Sequence, residues 1–352
     1  MTQKTLFILK RREDYNVEQH SQHGLSTGLY NSATFVKDML NESGHKAVLE
    51  VAVDNNCIDR LVTLHRPTHV IIEALWVVPS KFAVLTKLHP NVKWVVRLHS
   101  EMPFMAGEGM AMDWVGDYLA YPAISIGVNA PRMLQEIQTY SNAMGKGVDR
   151  VIYMPNFYPT EFAEKDWSEY SIKKDLDSYV DVGCFGAVRL LKNHLVQAFG
   201  AIKFANKVGK KLRFHINSGR IEMQGQPVVH NLQGLFSHLE SAGHELINHP
   251  WVPREEFLQV CGSMDLGLQV SFSETFNIVG ADLISQGVPI VCSEEIPWIS
   301  RLAVADPTSS DDIANTLTFA YKYPRVNVWR NQSKLTNYTE GTRRVWGSYL
   351  KA

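Results

Sequence analysis

Short apolar runs recur along the whole chain, nearly all followed by a segment with helical spacing, and this alternation restricts the fold more than any other feature. The runs are Thr5–Leu9, Ala47–Val53, His69–Ala74, Lys93–Leu98, Ala123–Gly127 and Val148–Met154. They continue at Val180–Phe185, Leu212–Asn217, Glu245–Asn248, Asp265–Val270, Pro289–Val291 and Leu302–Ala305. Strand–helix alternation of this kind predicts an α/β protein with parallel sheets. With 352 residues the chain is long enough for two domains.

Composition closes off several classes. The 35 basic side chains balance 36 acidic ones, so no global field draws the chain to nucleic acid or membrane. Cys57, Cys184, Cys261 and Cys292 lie far apart without a CxxC, which suits buried thiols rather than disulfides or zinc ligands. The first residues, MTQKTLFILKRRED, hold too short an apolar run for a signal peptide, and no stretch is apolar enough to span a bilayer. There is no GxGxxG after the first strand, no P-loop and no GxSxG elbow. Asp175-Leu176-Asp177 is an Asp-x-Asp triplet, but it precedes a strand and reads as a solvated loop rather than a metal site.

The stretch Ser273–Val291, SETFNIVGADLISQGVPIV, is the richest in chemistry. Asn277 can start a helix and Gly287 can end one, with Pro289-Ile290-Val291 as a buried strand. Glu274, just before that helix, and Asp282, inside it, are eight residues apart. On one helical face that is roughly 12 Å. A helix N-terminus between two carboxylates suits a ligand with a phosphate in the middle and hydroxyls at either end.

This pattern resembles the signature of retaining glycosyltransferases of the GT-B fold, especially glycosyltransferase family 4. Glu274, Thr275, Phe276 and Asn277 stand in the places of its Glu-Ser-Phe-Gly, and Asp282 in that of its second acid. Gly287, Pro289, Ile290 and Val291 match its Gly-x-Pro-Val-Val ending. The departures are Thr for Ser, Asn for Gly and Asp for Glu. A second match is Gly186-Ala187-Val188-Arg189-Leu190-Leu191-Lys192-Asn193, where the family places a glycine, an arginine and a lysine against the donor diphosphate. The arginine is displaced by two residues from the commonest form. This version also looks like compact glycosyltransferases encoded by tailed phages.

The resemblance implies two Rossmann-like domains facing each other across a cleft. It divides the chain into an acceptor-side domain, residues 1–156, a connection, 157–178, a nucleotide-sugar domain, 179–325, and a last helix, 326–352, returning to the first domain. Pro155-Asn156 resembles the family's Pro-Asn-Gly hand-over turn.

The activity implied is sugar transfer from a nucleoside-diphosphate sugar with retention. Arg189, Lys192 and the N–H groups near Asn277 and Ile278 would hold the diphosphate, with Gly186 allowing close approach. Glu274 would hold sugar hydroxyls, Asp282 the ribose, and Thr275 and Phe276 would also contact the donor. The resemblance also places His99, just after the fourth strand, against the donor sugar. Trp251, in His249-Pro250-Trp251-Val252-Pro253, either stacks on the base or packs. Gly24 and Gly28 match the family's glycine-bearing first loop loosely, or serve only as turns. Glu101–Met112, with four methionines, looks like a surface loop, and Trp329 and Trp346 could anchor the last helix.

No cofactor and no metal are implied, the nucleotide sugar being a co-substrate. The acceptor carries no legible motif. The phage likeness suggests a hydroxymethylated DNA base, with Lys10-Arg11-Arg12 touching phosphates, in a host cytoplasm. Glycan and lipid acceptors, a catalytically silent nucleotide-sugar binder or scaffold, and a GT-B epimerase stay open, as does oligomeric state.

Overall fold

The computed structural model describes residues 3–11 and 27–351. It divides into two compact units, residues 1–159 with 339–352, and residues 160–338. The first contains β1 (Lys4–Lys10), β2 (Lys46–Ala52), β3 (His69–Glu73), β4 (Lys93–Leu98), β5 (Ile124–Val128) and β6 (Val151–Tyr153), in the sheet order β2-β1-β3-β4-β5-β6. The second contains β7 (Tyr179–Gly183), β8 (Lys211–Ile216), β9 (Glu245–Asn248), β10 (Leu266–Gln269) and β11 (Ile290–Cys292), in the order β11-β10-β7-β8-β9. Every named strand pair is parallel.

The consecutive apolar residues of the strands serve two cores. Leu6, Ile8, Val70, Ile72, Trp94 and Val96 fall on one side of the first sheet. Their neighbours Phe7, Ile71 and Val95 fall on the other, with Met39, Leu40 and Trp346. Side chains of a strand alternate between faces, so a sheet covered on both sides needs apolar residues at odd and even positions alike. In the second unit Val180, Val182, Leu212, Phe214, Leu266 and Leu268 pack with Ala201, Phe204 and Leu317.

The helix Pro324–Lys351 contributes to both units, residues up to 338 to the second and those from 339 to the first. In the second unit Asn327 pairs with the edge strand β11. It accepts from the Ile290 N–H at 2.9 Å and donates Nδ2 to the Ile290 carbonyl at 2.9 Å. An amide side chain thereby satisfies a sheet edge. In the first unit Trp346 is 1% exposed, donates Nε1 to the Pro155 carbonyl at 2.9 Å and lies 5.8 Å from the Phe7 ring.

Four expectations need correction. Leu302–Ala305 is not a strand: Arg301–Ala303 is a single 3-10 turn, and only Val304 pairs, with Cys292. A four-residue apolar run cannot distinguish the two. Glu101–Met112 is not simply a loop, since Met102–Met105 and Ala111–Ala120 are helical and bury Met105 and Val115. Trp329 is 61% exposed and anchors nothing, unlike Trp346. The signature helix spans Ile278–Ser285, capped by Asn277 and closed by Gly287 at φ 68°, as expected. What falls is the roughly 12 Å separation of Glu274 and Asp282, because Glu274 precedes the helix and helical rise does not apply across residues 274–277.

Candidate active site

Strand order in the second unit reverses at β7: β8 and β9 lie on one side, β10 and β11 on the other. The carboxyl ends of adjacent strands at such a point open a crevice that no connection covers, and ligands of open α/β sheets bind there. The segments leaving β7 and β10 carry Gly186 to Lys192 and Glu274 to Asn277.

Their geometry is set by buried amide side chains. Asn193 takes a left-handed conformation (φ 58°) and donates Nδ2 to the Val270 carbonyl at 3.1 Å. Gln197 donates to the Lys192 carbonyl at 2.7 Å and accepts from the Val270 N–H at 2.8 Å. These bonds tie the two segments together, and Lys192 Nζ forms an ion pair with Glu274 Oε1, the side chains being 11% and 7% exposed. Gly186 has φ +113°, donates its N–H to Asn217 Oδ1 at 2.7 Å, and would carry a Cβ only 3.9 Å from Lys192 Nζ and Val279 Cγ2. A positive φ here favours glycine and keeps the backbone bare beside the lysine.

Asn277 caps the signature helix from a left-handed conformation (φ 60°), accepting from the Gly280 N–H at 2.7 Å. Its Nδ2 donates to Gln269 Oε1 at 2.9 Å, and Gln269 Nε2 donates to the Phe185 carbonyl at 3.0 Å. The cap uses the third N–H of the helix and directs the positive end of its dipole toward the Gly186–Lys192 side. Gly186, Lys192, Glu274, Asn277 and the start of the helix at Ile278 are thus one cluster, combining a cation, a carboxylate and a helix N-terminus.

Phe276 is corrected as a ligand-facing side chain. It is 1% exposed, packs on Trp298 and Tyr338, and its carbonyl accepts from Trp298 Nε1 at 2.8 Å. Thr275 beside it is half-buried.

Asp282 is 3% exposed, and its Oδ1 accepts from Arg254 Nη1 at 2.6 Å. Arg189 reaches Glu222 Oε2 at 3.1 Å, and Arg220 pairs with the other oxygen of the same carboxylate. The Arg220 guanidinium lies 5.8 Å from the Trp251 ring centroid. Around the cluster Arg189, Lys192 and Arg220 face Glu222 and Glu274, three cations against two carboxylates.

His99 and Gly28 belong to the first unit. Gly28 sits in the first turn of the helix Thr27–Glu42, and Gly24 lies outside the described residues. His99 Nε2 bonds to Glu73 Oε2, while Arg97 Nη1 spans both Glu73 oxygens at 3.1 and 3.2 Å. Arg97 also donates to the Met154 carbonyl at 3.0 Å and to Asn156 Oδ1 at 2.5 Å, and its guanidinium lies 5.3 Å from the Trp346 ring. Burial pushes the Glu73 carboxyl up, but Arg97 and His99 outweigh it and hold it below the usual range. Burial holds His99 below the usual histidine range despite the carboxylate. The Pro155-Asn156 turn is therefore fixed by an interior arginine.

Burial pushes the Cys184 thiol up to about 12 against the opposing pull of Lys192, and pushes Cys292 well up, with Glu274 adding to it. Neither is a nucleophile at neutral pH. Asp175 and Leu176 end the helix Trp167–Leu176, ahead of β7. Among the described residues no group of three or more His, Cys, Asp or Glu could hold a metal ion. No helix among them is long and apolar enough to cross a membrane.

Arg254, Glu222 and Arg220 were not legible as site residues from sequence. Each joins the cluster through a partner 28 or more residues away, or through a turn without periodicity. The one available signal was position, just beyond the ends of β8 and β9.

No protein-family model and no curated protein sequence matches the chain. Solved structures do. Anabaena HepE in complex with UDP superposes with a TM-score of 0.65 at 12% identity, over 99% of both chains. A UDP-forming α,α-trehalose-phosphate synthase from Burkholderia vietnamiensis gives 0.68 at 11% identity, over 100% of this chain and 97% of that one. The N-terminal domain of Candida albicans trehalose-6-phosphate phosphatase gives 0.70 at 11%, over 98% and 96%. At such identities the likeness is one of fold. The fold is GT-B: α/β, with two Rossmann-like domains.

Proposed function

We propose that this chain is a retaining glycosyltransferase that uses a nucleoside-diphosphate sugar, with family 4-like placement of its donor groups. The observation that carries the reading is the Lys192–Glu274 pair beside bare Gly186 and the N-terminus of Ile278–Ser285, at the switch point of the second sheet. When the bond from the anomeric carbon to the diphosphate breaks, its electron pair goes to the phosphate oxygen. Lys192 and the helix N-terminus stabilise that charge. Glu274 accepts from sugar hydroxyls and shares Lys192 with the phosphate. Asp282 and Arg254 receive the ribose, and Arg189 supplies outer positive charge. The acceptor hydroxyl attacks the face the diphosphate leaves, and its proton goes to the departing phosphate oxygen. The role of His99 toward the sugar rests on the resemblance alone. No metal is needed where side-chain cations and helix amides neutralise the leaving group.

HepE and the trehalose-phosphate synthases are named with UDP or UDP-forming activity, which makes UDP-sugars the first donors to try. A hydroxymethylated DNA base is proposed as acceptor from the sequence likeness alone. Lys10 and Arg11 are the described members of the cationic run beside β1, and Arg12 lies outside the described residues. Incubating the protein with a panel of nucleoside-diphosphate sugars, then following release of the nucleoside diphosphate with and without hydroxymethylated DNA, tests both parts. Release from one donor supports the class. Binding without release under any acceptor would favour a silent binder, and a released epimer an epimerase.

A further inference from the structure

The loop that leads from β8 to the helix Gln226–Ser237 is built onto the glycine segment along its length. Asn217, at its start, accepts the Gly186 N–H at 2.7 Å. In its middle Val188 donates its N–H to the Arg220 carbonyl at 2.9 Å and accepts the Glu222 N–H at 2.9 Å. At its end a Cβ on Gly225 would run into the Val188 carbonyl, so the loop closes on this segment with no room for a side chain. Between the last two anchors Met223 and Gln224 take left-handed conformations, φ 40° and 61°, which a residue with a Cβ adopts only at a cost. The main chain on either side of Glu222 is thus fixed against the glycine segment.

The Glu222 carboxylate divides between two guanidiniums. Its Oε2 accepts from Arg189 Nη1 at 3.1 Å, and its Oε1 pairs with Arg220 Nη2. Arg189, Arg220 and Glu222 are 20%, 17% and 19% exposed, so water screens these pairs only in part. Two arginines, each on one oxygen of a small anion, form the arrangement that a phosphate group would complete with the same side chains.

Both cations of the glycine segment therefore carry a carboxylate from the chain: Lys192 has Glu274 and Arg189 has Glu222. The two carboxylates are not equivalent. Glu274 belongs to the signature and has sugar hydroxyls to accept from. Glu222 lies in neither motif, and a diphosphate beside Gly186 can engage Arg189 fully only by drawing it from Glu222.

We propose, resting on the nucleotide-site reading above, that Glu222 is an internal counter-anion of the donor site. It holds Arg189 and Arg220 in the place of a phosphate between turnovers and yields Arg189 to the diphosphate of the bound nucleotide. It is a positioning residue: it keeps two like charges from splaying apart, and its competition for Arg189 weakens the hold on the nucleoside diphosphate after transfer.

The test is calorimetric titration of UDP, GDP, CDP and ADP into the full chain as wild type, Glu222→Gln and Glu222→Asp. Glutamine keeps the shape and one acceptor oxygen but removes the competing charge. Glu222→Gln should bind whichever diphosphate the wild type prefers at least ~10-fold more tightly, the scale of one charge a few ångströms from a phosphate in a partly wet site. Glu222→Asp keeps the charge and should stay within about threefold of wild type. A purely structural Glu222 gives the opposite result, because loosened arginines bind phosphate less well. Unchanged or weaker binding in Glu222→Gln overturns the proposal and leaves the nucleotide site standing. An equal gain in Glu222→Asp overturns it too, since charge would not be the cause. A crystal structure of the wild type with the diphosphate that binds reads the same exchange without a variant: Arg189 is expected on a phosphate oxygen and out of hydrogen-bond reach of Glu222, and Arg189 still bonded to Glu222 overturns the proposal. Binding of none of the four, by wild type or variant, removes the nucleotide-site reading and the proposal together.

Discussion

Replacing Lys192 by alanine separates two consequences of one ion pair. Lys192 and Glu274 are 11% and 7% exposed, so the variant leaves a nearly buried carboxylate without its partner. Breaking a buried pair from one side costs about 3–5 kcal/mol, because the remaining charge is uncompensated. The double variant Lys192→Ala/Glu274→Gln carries no such charge and should regain most of that loss. Turnover should not follow stability. Loss of one group that stabilises developing charge costs ~3–4 kcal/mol of transition-state stabilisation, a factor of at least ~100 in rate. Both the single and the double variant should therefore release nucleoside diphosphate at least ~100-fold more slowly at saturating donor. Urea unfolding of the three proteins, with donor turnover measured below each transition, gives both quantities. If Lys192→Ala unfolds at the wild-type urea concentration and turns over donor within threefold of wild type, the pair is neither an interior charge pair nor part of the leaving-group site.

Other outcomes follow from single side chains. Asn277→Ala removes a helix cap and places a Cβ residue at φ 60° without an amide to compensate, a loss of about 2 kcal/mol by urea unfolding. Asn277→Gly keeps the backbone conformation and should lose less, so equal losses would mean that the left-handed turn is not strained. Trp346→Ala should cost about 3–5 kcal/mol, and Trp329→Ala, at an exposed position, less than ~0.5 kcal/mol. Similar effects at both positions would contradict the placement of the last helix. Burial lowers His194 to about 3 from an ordinary 6.5, with Lys192 and Arg189 adding to the effect. Below pH 6.5 the unfolded chain therefore binds a proton that the folded one refuses. Its contribution to stability is present above 6.5 and is lost as pH falls toward 3, at up to ~1.4 kcal/mol per pH unit. His194→Phe should flatten that part of the pH–stability curve, and an unchanged slope would show that His194 is protonated in the folded state.

Eleven strands were legible because short apolar runs recur in alternation with segments of helical spacing. Leu302–Ala305 failed because four apolar residues fit a 3-10 turn equally well. Within the site, Gly186, Lys192, Glu274 and Asn277 were legible because a motif fixes their spacing, and the fold brings the two motifs together at the switch point. The partners were not. Arg254 meets Asp282, Glu222 bridges two arginines, and Glu73 holds Arg97 and His99 through pairings between different elements. Phe276 shows the reverse error: a motif position was taken for a ligand contact when its ring is what packs the motif in place.

The first unit draws residues 339–352 into its fold, with Trp346 seated against Phe7, and this bears on how the protein is made. A ribosome delivers the first 159 residues early, but the core they enclose lacks Trp346 until some 180 more residues have been added. The N-terminal sheet therefore waits, with one face incompletely covered, while the second unit, continuous in sequence from 160 to 338, can complete its own core first. The second core can thus close before the first is complete, and the exposed face of the waiting sheet is where chaperone binding during translation should concentrate.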